Sequence, residues 1–274
     1  MPLPPVRVLA GPAAVALAAC TPVASMIDAE PTPPGPAVTV AHRGAWKAGG
    51  LPENSLASLR AAVALGCAGS EFDVRMSADD TLVVAHDPTH AGLAIEATPY
   101  AALAAEPLAN GEPLPTLRAY LEEGVRQNDG PGPPTRLLLE VKASPAGPTR
   151  SAEIARRAVA LARETGAAPL TDYISFSYDA LLAVRAADST AHTQYLEGDR
   201  PPDALVADGI GGLDYQYLVY RANAAWIQEA HDLGLRLNAW TVDAEGDMRW
   251  LLERGFDLIT TDEPERLIGL TPEG

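Results

Sequence analysis

Cysteine is nearly absent from this 274-residue chain: it has two, Cys20 and Cys67. A single pair does not make a disulfide framework, and Cys67, between Gly66 and Ala68 on an apolar stretch, reads as a buried inert thiol rather than a functional one. Basic residues are outnumbered 20 to 36 by acidic ones, which leaves a net charge of −16 with no Lys/Arg cluster to offset it. Such a surface repels nucleic acid and anionic membranes. An anionic substrate would need a local positive site, from a metal or from a few placed basic residues. The apolar run Val8–Ala19, broken by Gly11-Pro12, is too short to span a bilayer. No Gly-x-Gly-x-x-Gly follows a strand and no Gly-x-x-x-x-Gly-Lys occurs, so neither a dinucleotide fold nor a P-loop is supported. No internal repeat is visible.

What is present begins with a targeting pattern. Arg7 precedes the apolar run, which ends Leu17-Ala18-Ala19-Cys20. Residues 1–19 read as a lipoprotein-type signal peptide, with Cys20 as the lipidated mature N-terminus. A plain secretory signal with Cys20 incidental, or an uncleaved tail, are the alternatives. Residues 20–36, ending Pro31-Thr32-Pro33-Pro34-Gly35-Pro36, form an extended Pro-rich linker of the kind that tethers a globular unit to an anchor. The expectation is an exported protein, periplasmic or at the cell surface, anchored in the membrane through Cys20.

From residue 37 to 270 short β-like runs alternate with helical ones. The strand candidates are 37–41, 70–75, 82–85, 136–141, 173–176, 192–196, 209–213, 235–241 and 257–260. Helical patterns cover 54–65, 151–164, 178–187, 202–208, 223–233 and 244–254. Asn54 or Ser55 is placed to cap the first helix. Repeated βα units predict a parallel sheet covered by helices. A hydrophobic content of 47% supports one large core, and a β/α barrel takes about 250 residues. The predicted fold class is therefore α/β, a single-domain (β/α)8 TIM barrel.

The polar residues fall where a barrel would use them, at the C-terminal ends of strands. His42-Arg43 ends the first strand, Glu71 and Asp73 lie near the end of the second, and His86 follows 82–85. Glu140 and Lys142 end 136–141, and Trp240 ends another strand. Residues two apart share a strand face, so Glu71 pairs with Asp73 and Glu140 with Lys142. Three carboxylates converging on one mouth repel one another unless a cation sits between them. All-oxygen ligation suits a hard ion, Ca²⁺ or Mg²⁺. His42 and His86 have the side chain suited to acid–base work near neutrality. Arg43 and Lys142 would supply positive charge for a phosphate, and Trp240 an apolar wall. Salt bridges to neighbouring carboxylates, and core packing for Trp240, are the plain alternatives. Asn54 reads as a cap and loop organiser. Arg75 shares parity with Glu71 and Asp73 but is placed past the strand. His90, His192 and His231 read as structural or surface.

Taken in order, Ala-His-Arg-Gly, Pro-Glu-Asn-Ser, Gly-Ser-Glu-Phe-Asp-Val, Leu-Val-Val-Ala-His-Asp and Leu-Glu-Val-Lys resemble the glycerophosphodiester phosphodiesterase family. Asn-Ala-Trp-Thr-Val and Ile-Thr-Thr-Asp-Glu-Pro, nearer the C-terminus, are similar to it as well. The resemblance covers most of the chain after the linker. It implies a (β/α)8 barrel that hydrolyses glycerophosphodiesters to glycerol 3-phosphate and an alcohol with a divalent cation. It implies His42 and His86 as the acid–base pair, Glu71, Asp73 and Glu140 as metal ligands, and Arg43 and Lys142 as phosphate contacts. The partner is a small-molecule phosphodiester, with no protein partner implied. The chain departs from the family after His86, where His90-Ala91-Gly92-Leu93 replaces an Asp-Arg-Thr-like stretch and a longer insertion. That leaves two alternatives on the same scaffold, a lysophospholipid or other phosphodiester as substrate, and a non-catalytic binding barrel.

Overall fold

The chain divides into Met1–Pro31 and Thr32–Gly274. The computed structural model describes the second unit over residues 38–270, and of the first only Met1. The expected signal peptide, Cys20, the linker and residue 37 lie outside the described residues.

Strand β1 is Thr39–Ala41, followed by α1 (Leu56–Ala64), β2 (Gly69–Met76) and β3 (Leu82–Val84). A small hairpin, β4 (Thr89–His90) and β5 (Leu93–Ala94), leads to α2 (Tyr100–Leu103) and α3 (Leu117–Gln127). Then come β6 (Arg136–Val141), α4 (Pro148–Glu164), β7 (Thr171–Ser175), α5 (Tyr178–Ala187), β8 (His192–Tyr195) and α6 (Pro202–Ala207). The series ends with β9 (Gly212–Gln216), α7 (Tyr217–Ala222), α8 (Ala225–Asp232), β10 (Arg236–Trp240), α9 (Glu245–Leu252), β11 (Leu258–Thr261) and α10 (Pro264–Leu270).

The strands order as β1-β11-β10-β9-β8-β7-β6-β2, and β1 pairs back onto β2 through Val40 and Gly69. This closes an eight-stranded parallel barrel with helices outside, as the βα pattern predicts. The alternation of strand side chains decides what faces the axis. A Cβ on Gly69 would lie 2.6 Å from Leu138 Cδ1, so that face of β2 points into the barrel. By parity Glu71 and Asp73 point inward too. The intervening Phe72 points out, where its ring stacks on Tyr120 of α3 at 4.2 Å between centroids. Two large apolar clusters between strands and helices hold the shell together, one around β2, β6 and α4, the other around β9, β10 and α9. Local caps agree with these boundaries: Ser55, Thr116 and Ser177 each accept a backbone N–H at the start of α1, α3 and α5.

Two expectations need correction. Leu82–Val84 is not a barrel strand: it runs antiparallel to β2, pairing Val84 with Val74 and Leu82 with Met76. The strand expected at 209–213 starts later, at Gly212. Gly209 sits in a turn at φ +73°, and a Cβ on Gly212 would meet Arg236 O at 2.6 Å, the close approach that seats β9 against β10. The helix expected over 223–233 is present as α8, Ala225–Asp232; α7, Tyr217–Ala222, precedes it and ends at Asn223, at φ −126°.

Candidate active site

The site forms where the strands end at the C-terminal rim. Strand β1 delivers Ala41 to a tight turn, His42-Arg43-Gly44. Arg43 takes a left-handed φ of +56° and Gly44 a φ of +81°. A side chain on Gly44 would lie 2.4 Å from Ser58 Oγ and 2.7 Å from its backbone, so only glycine lets this turn press onto α1. The turn aims the Arg43 backbone N–H at Glu71 Oε2, 2.8 Å away.

Strand β2 overshoots the rim by several residues before the chain returns as β3. That antiparallel return explains how His86 reaches the site. Ala85 N–H donates to Asp73 O at 3.0 Å, so His86 is lowered to the level of the inward carboxylates. Arg75, placed past the strand by sequence, lies inside β2 and is buried. Its Nε and Nη2 donate to the His86 carbonyl at 2.9 and 2.6 Å, which pins the histidine's backbone.

Glu71, Asp73 and Glu140 are buried, and one carboxylate oxygen from each lies within 4.8 Å of the others. Register places Asp73 beside Glu140 across β2 and β6. The Lys142 ammonium sits 3.2 Å from Asp73 Oδ1 and 2.8 Å from Glu140 Oε1. Burial, then repulsion from Asp73 and Glu140, pushes the Glu71 carboxyl well above the usual range. Burial and Asp73 push Glu140 up to about 8. For Asp73 burial also opposes ionisation, but Lys142, His86 and the Asn54 amide outweigh it and bring the group down to about 2. One lysine therefore does not hold all three charges. A hard divalent cation would, and an all-carboxylate donor set matches one. This is the cluster among the described residues that fits a divalent metal.

Asn54 is not the helix cap; Ser55 is. Asn54 sits buried at φ +57° and clasps Asp73 twice. Its Nδ2 donates to Asp73 Oδ2 at 2.9 Å, and its Oδ1 accepts the Asp73 N–H at 3.0 Å. Glu53 holds the Arg43 guanidinium through Nη1 at 3.0 and 2.9 Å, and Arg43 Nε lies 3.7 Å from Asp73.

His42 Nδ1 is 2.8 Å from Asp262 Oδ1, just after β11. Burial alone would raise Asp262, but the hydrogen bond and charge of His42 overcome that and hold it below its ordinary value. An ionised carboxylate only accepts. The proton is therefore on Nδ1, and Nε2, 3.9 Å from Glu71 Oε2, is left as the basic nitrogen toward the pocket. His86 Nδ1 contacts Asp87 Oδ1 at 2.9 Å.

His42, Arg43, Glu71, His86, Glu140, Lys142 and Trp240 line one pocket of about 500 Å³ including its open mouth. Asp73 joins through the carboxylate cluster, so the residues singled out from sequence do meet. The size suits a small molecule rather than a polymer. Ile174, Phe176, Leu196, Asp214, Thr241 and Thr260 complete the wall. Trp240 stands edge-on to Phe176 at 5.4 Å, and its Nε1 donates to Asp214 O at 2.8 Å, so the indole contributes an apolar face. Burial and the charge of Glu140 push Asp214 well above the carboxylate range, with a hydrogen bond from Asn238 opposing them. Sequence reasoning gave no role to Glu53, Asp262 or Asp214. The Thr-Thr-Asp-Glu-Pro motif was a signal for Asp262. Asp214 fell outside the strand drawn at 209–213.

Away from this site, burial pushes the Cys67 thiol up to about 12, as an inert buried cysteine should be. His90 contacts Glu106 O and His231 contacts Arg254 O.

Residues 42–266 match the profile of the Glycerophosphoryl diester phosphodiesterase family. A glycerophosphodiester phosphodiesterase of Caldanaerobacter subterraneus subsp. tengcongensis is 27% identical over 268 residues, covering 86% of this chain and 98% of that protein. Among solved structures, a glycerophosphodiester phosphodiesterase from Parabacteroides distasonis superposes with a TM-score of 0.82 at 37% identity, over 86% of this chain and 97% of its own. A phosphodiesterase of Oleispira antarctica, solved in complex with the product sn-glycerol-3-phosphate, shares the fold at TM-score 0.71 and 23% identity, over 85% of this chain and 95% of its own.

Proposed function

The chain belongs to the glycerophosphoryl diester phosphodiesterase family and is a phosphoric diester hydrolase, and we propose that it cleaves glycerophosphodiesters to glycerol 3-phosphate and an alcohol at the His42/His86 pocket. One observation carries this reading: two histidines and a buried three-carboxylate cluster face one small pocket from different strands. Glu71, Asp73 and Glu140 would hold the divalent cation, Ca²⁺ or Mg²⁺ by their oxygen-only chemistry. When bound, it would neutralise charge on the phosphate and its surroundings.

The chain's own residues supply the rest. His42 Nε2, kept basic by the proton on Nδ1, takes the proton of an attacking water or of the substrate's own hydroxyl; the second route gives a cyclic phosphate, which water then opens to glycerol 3-phosphate. The new P–O bond forms as the bond to the leaving alcohol breaks, and His86 gives that alkoxide its proton. A positioned acid or base is worth about 10²–10⁴ in rate. Lys142 and Arg43 contact the phosphate oxygens, each kept in place by its carboxylate partners. Trp240 and Phe176 keep water from one side of the reacting ester.

The test is hydrolysis of glycerophosphocholine with and without a chelator, for the wild type, His42→Ala and Glu71→Ala. Both variants and the chelated enzyme should lose turnover. Full turnover in any of the three would refute the mechanism. We further propose export and anchoring through Cys20, supported by the Leu-Ala-Ala-Cys pattern. Cys20→Ser should move the protein from the membrane to the soluble fraction, and unchanged partitioning would refute the anchor.

A further inference from the structure

The pocket has two unlike walls. Strands β2 and β6 carry the carboxylate cluster and Lys142. In the barrel order β9 lies opposite β2, and β9 carries Asp214. The rest of the lining is Ile174, Phe176, Leu196 and Trp240, with Thr241 and Thr260 beside them; the Trp240 N–H is taken by Asp214 O and the Thr260 hydroxyl by the Asn238 amide. Asp214 is 1% exposed, yet its Oδ1 has no hydrogen-bond partner among the described residues, and the residue lines the pocket. A buried polar atom without a partner is costly. Asn238 reaches the same carboxyl, but Oδ1 is left unpaired on a largely apolar wall that faces the reaction centre.

We propose that Asp214 is a specificity-determining residue whose carboxyl binds the terminal hydroxyl of the substrate's glycerol moiety. The inference rests on the proposed activity and deepens it. With the phosphate at Lys142 and the carboxylate cluster, the end of the glycerol far from phosphorus is the part that reaches the opposite wall. Phe176 and Trp240 cover its carbon chain, and Asp214 Oδ1 is the buried, unpaired polar atom there to meet its hydroxyl. A pocket built to hydrogen-bond a hydroxyl rejects the analogue that lacks it, because the site's buried group is then left unpaired. Asp214 therefore selects a polyol head over an otherwise similar phosphodiester.

The experiment compares glycerophosphocholine with 2-hydroxypropyl phosphocholine, which lacks only the terminal hydroxyl. Wild type should prefer the first in kcat/KM by about 10- to 100-fold. Asp214→Ala should lose that preference by falling on glycerophosphocholine while staying within about threefold on the deoxy analogue, and the loss should fall mainly in KM. Asp214→Asn, of the same volume and with one acceptor oxygen, should recover part of the preference. Equal losses on both substrates, or a preference unchanged in both variants, would overturn the role of Asp214. A wild type inactive on both would instead overturn the activity on which the inference rests.

Discussion

Asp262→Asn isolates the electrostatic half of the His42 arrangement. The Asp262 carboxylate accepts the Nδ1 proton of His42 at 2.8 Å, and the same contact holds Asp262 below its usual pKa. The amide fills the same space, and the backbone N–H of residue 262 keeps its bond to Asp243 at 2.9 Å, so the loop should stay in place. If the new NH2 faces the ring, Nδ1 must accept and the proton moves to Nε2, which abolishes the base. A comparable carboxylate-to-amide change beside a catalytic histidine costs about 10⁴ in kcat. If the amide oxygen faces the ring instead, the tautomer survives but the charge that stabilises the imidazolium is gone, and the cost sits near the lower limit for a positioned base, about 10². The expected loss is therefore about 10²–10⁴ in kcat, or about 2.7–5.4 kcal/mol of barrier at 1.36 kcal/mol per decade. The assay is steady-state release of glycerol 3-phosphate from glycerophosphocholine at saturating metal, with the melting temperature measured in parallel. A kcat within threefold of wild type at an unchanged melting temperature would refute both the tautomer assignment and the role of His42 as base.

Other residues make sharp predictions. Asn54→Ala removes both hydrogen bonds that orient Asp73, so metal affinity should fall about 10- to 100-fold; titration calorimetry with Ca²⁺ and Mg²⁺ would show an unchanged Kd if Asn54 were only a loop residue. Arg75→Lys replaces the fork on the His86 carbonyl with a single donor and should lower kcat about tenfold with little change in KM; a change confined to KM would contradict a role through His86. His192, at the base of the barrel, is pulled from 6.5 down to about 4 by burial and by Arg236. The unfolded chain takes up that proton first, so stability is full above the unfolded value and is lost as pH falls from about 6.5 to about 4. The cost at the acid end is roughly 3 kcal/mol, and His192→Gln should flatten that limb of the melting-temperature profile; an identical acid slope would place the proton uptake elsewhere.

The barrel was legible because its signals are local. The apolar Arg136–Val141 run and the Tyr178–Ala187 helix occur in the structure with the bounds drawn from sequence. Errors arose where tertiary packing overrides local pattern. Gly212 begins β9 because the backbone of Arg236 presses against it, and nothing within residues 209–213 reports that. Leu82–Val84 reads as one more barrel strand because an antiparallel return has the same alternation as a parallel strand. The candidate ligands and histidines were visible because their chemistry is uncommon at strand ends. Their partners were not, since Asp262 lies 220 positions from His42 and asparagine before a helix usually reads as a cap.

Residue type and period determined that this chain builds a parallel barrel with carboxylates, histidines and two cations at its rim. Those properties depend on neighbours a few positions away. Tertiary structure alone decided that β2 overshoots the rim so that β3 can lower His86 to Asp73, that Asp262 sets the His42 tautomer, and that Asp214 faces the carboxylate cluster across the pocket. Each of these follows from barrel closure, which brings together groups whose positions depend on the register of every strand between them.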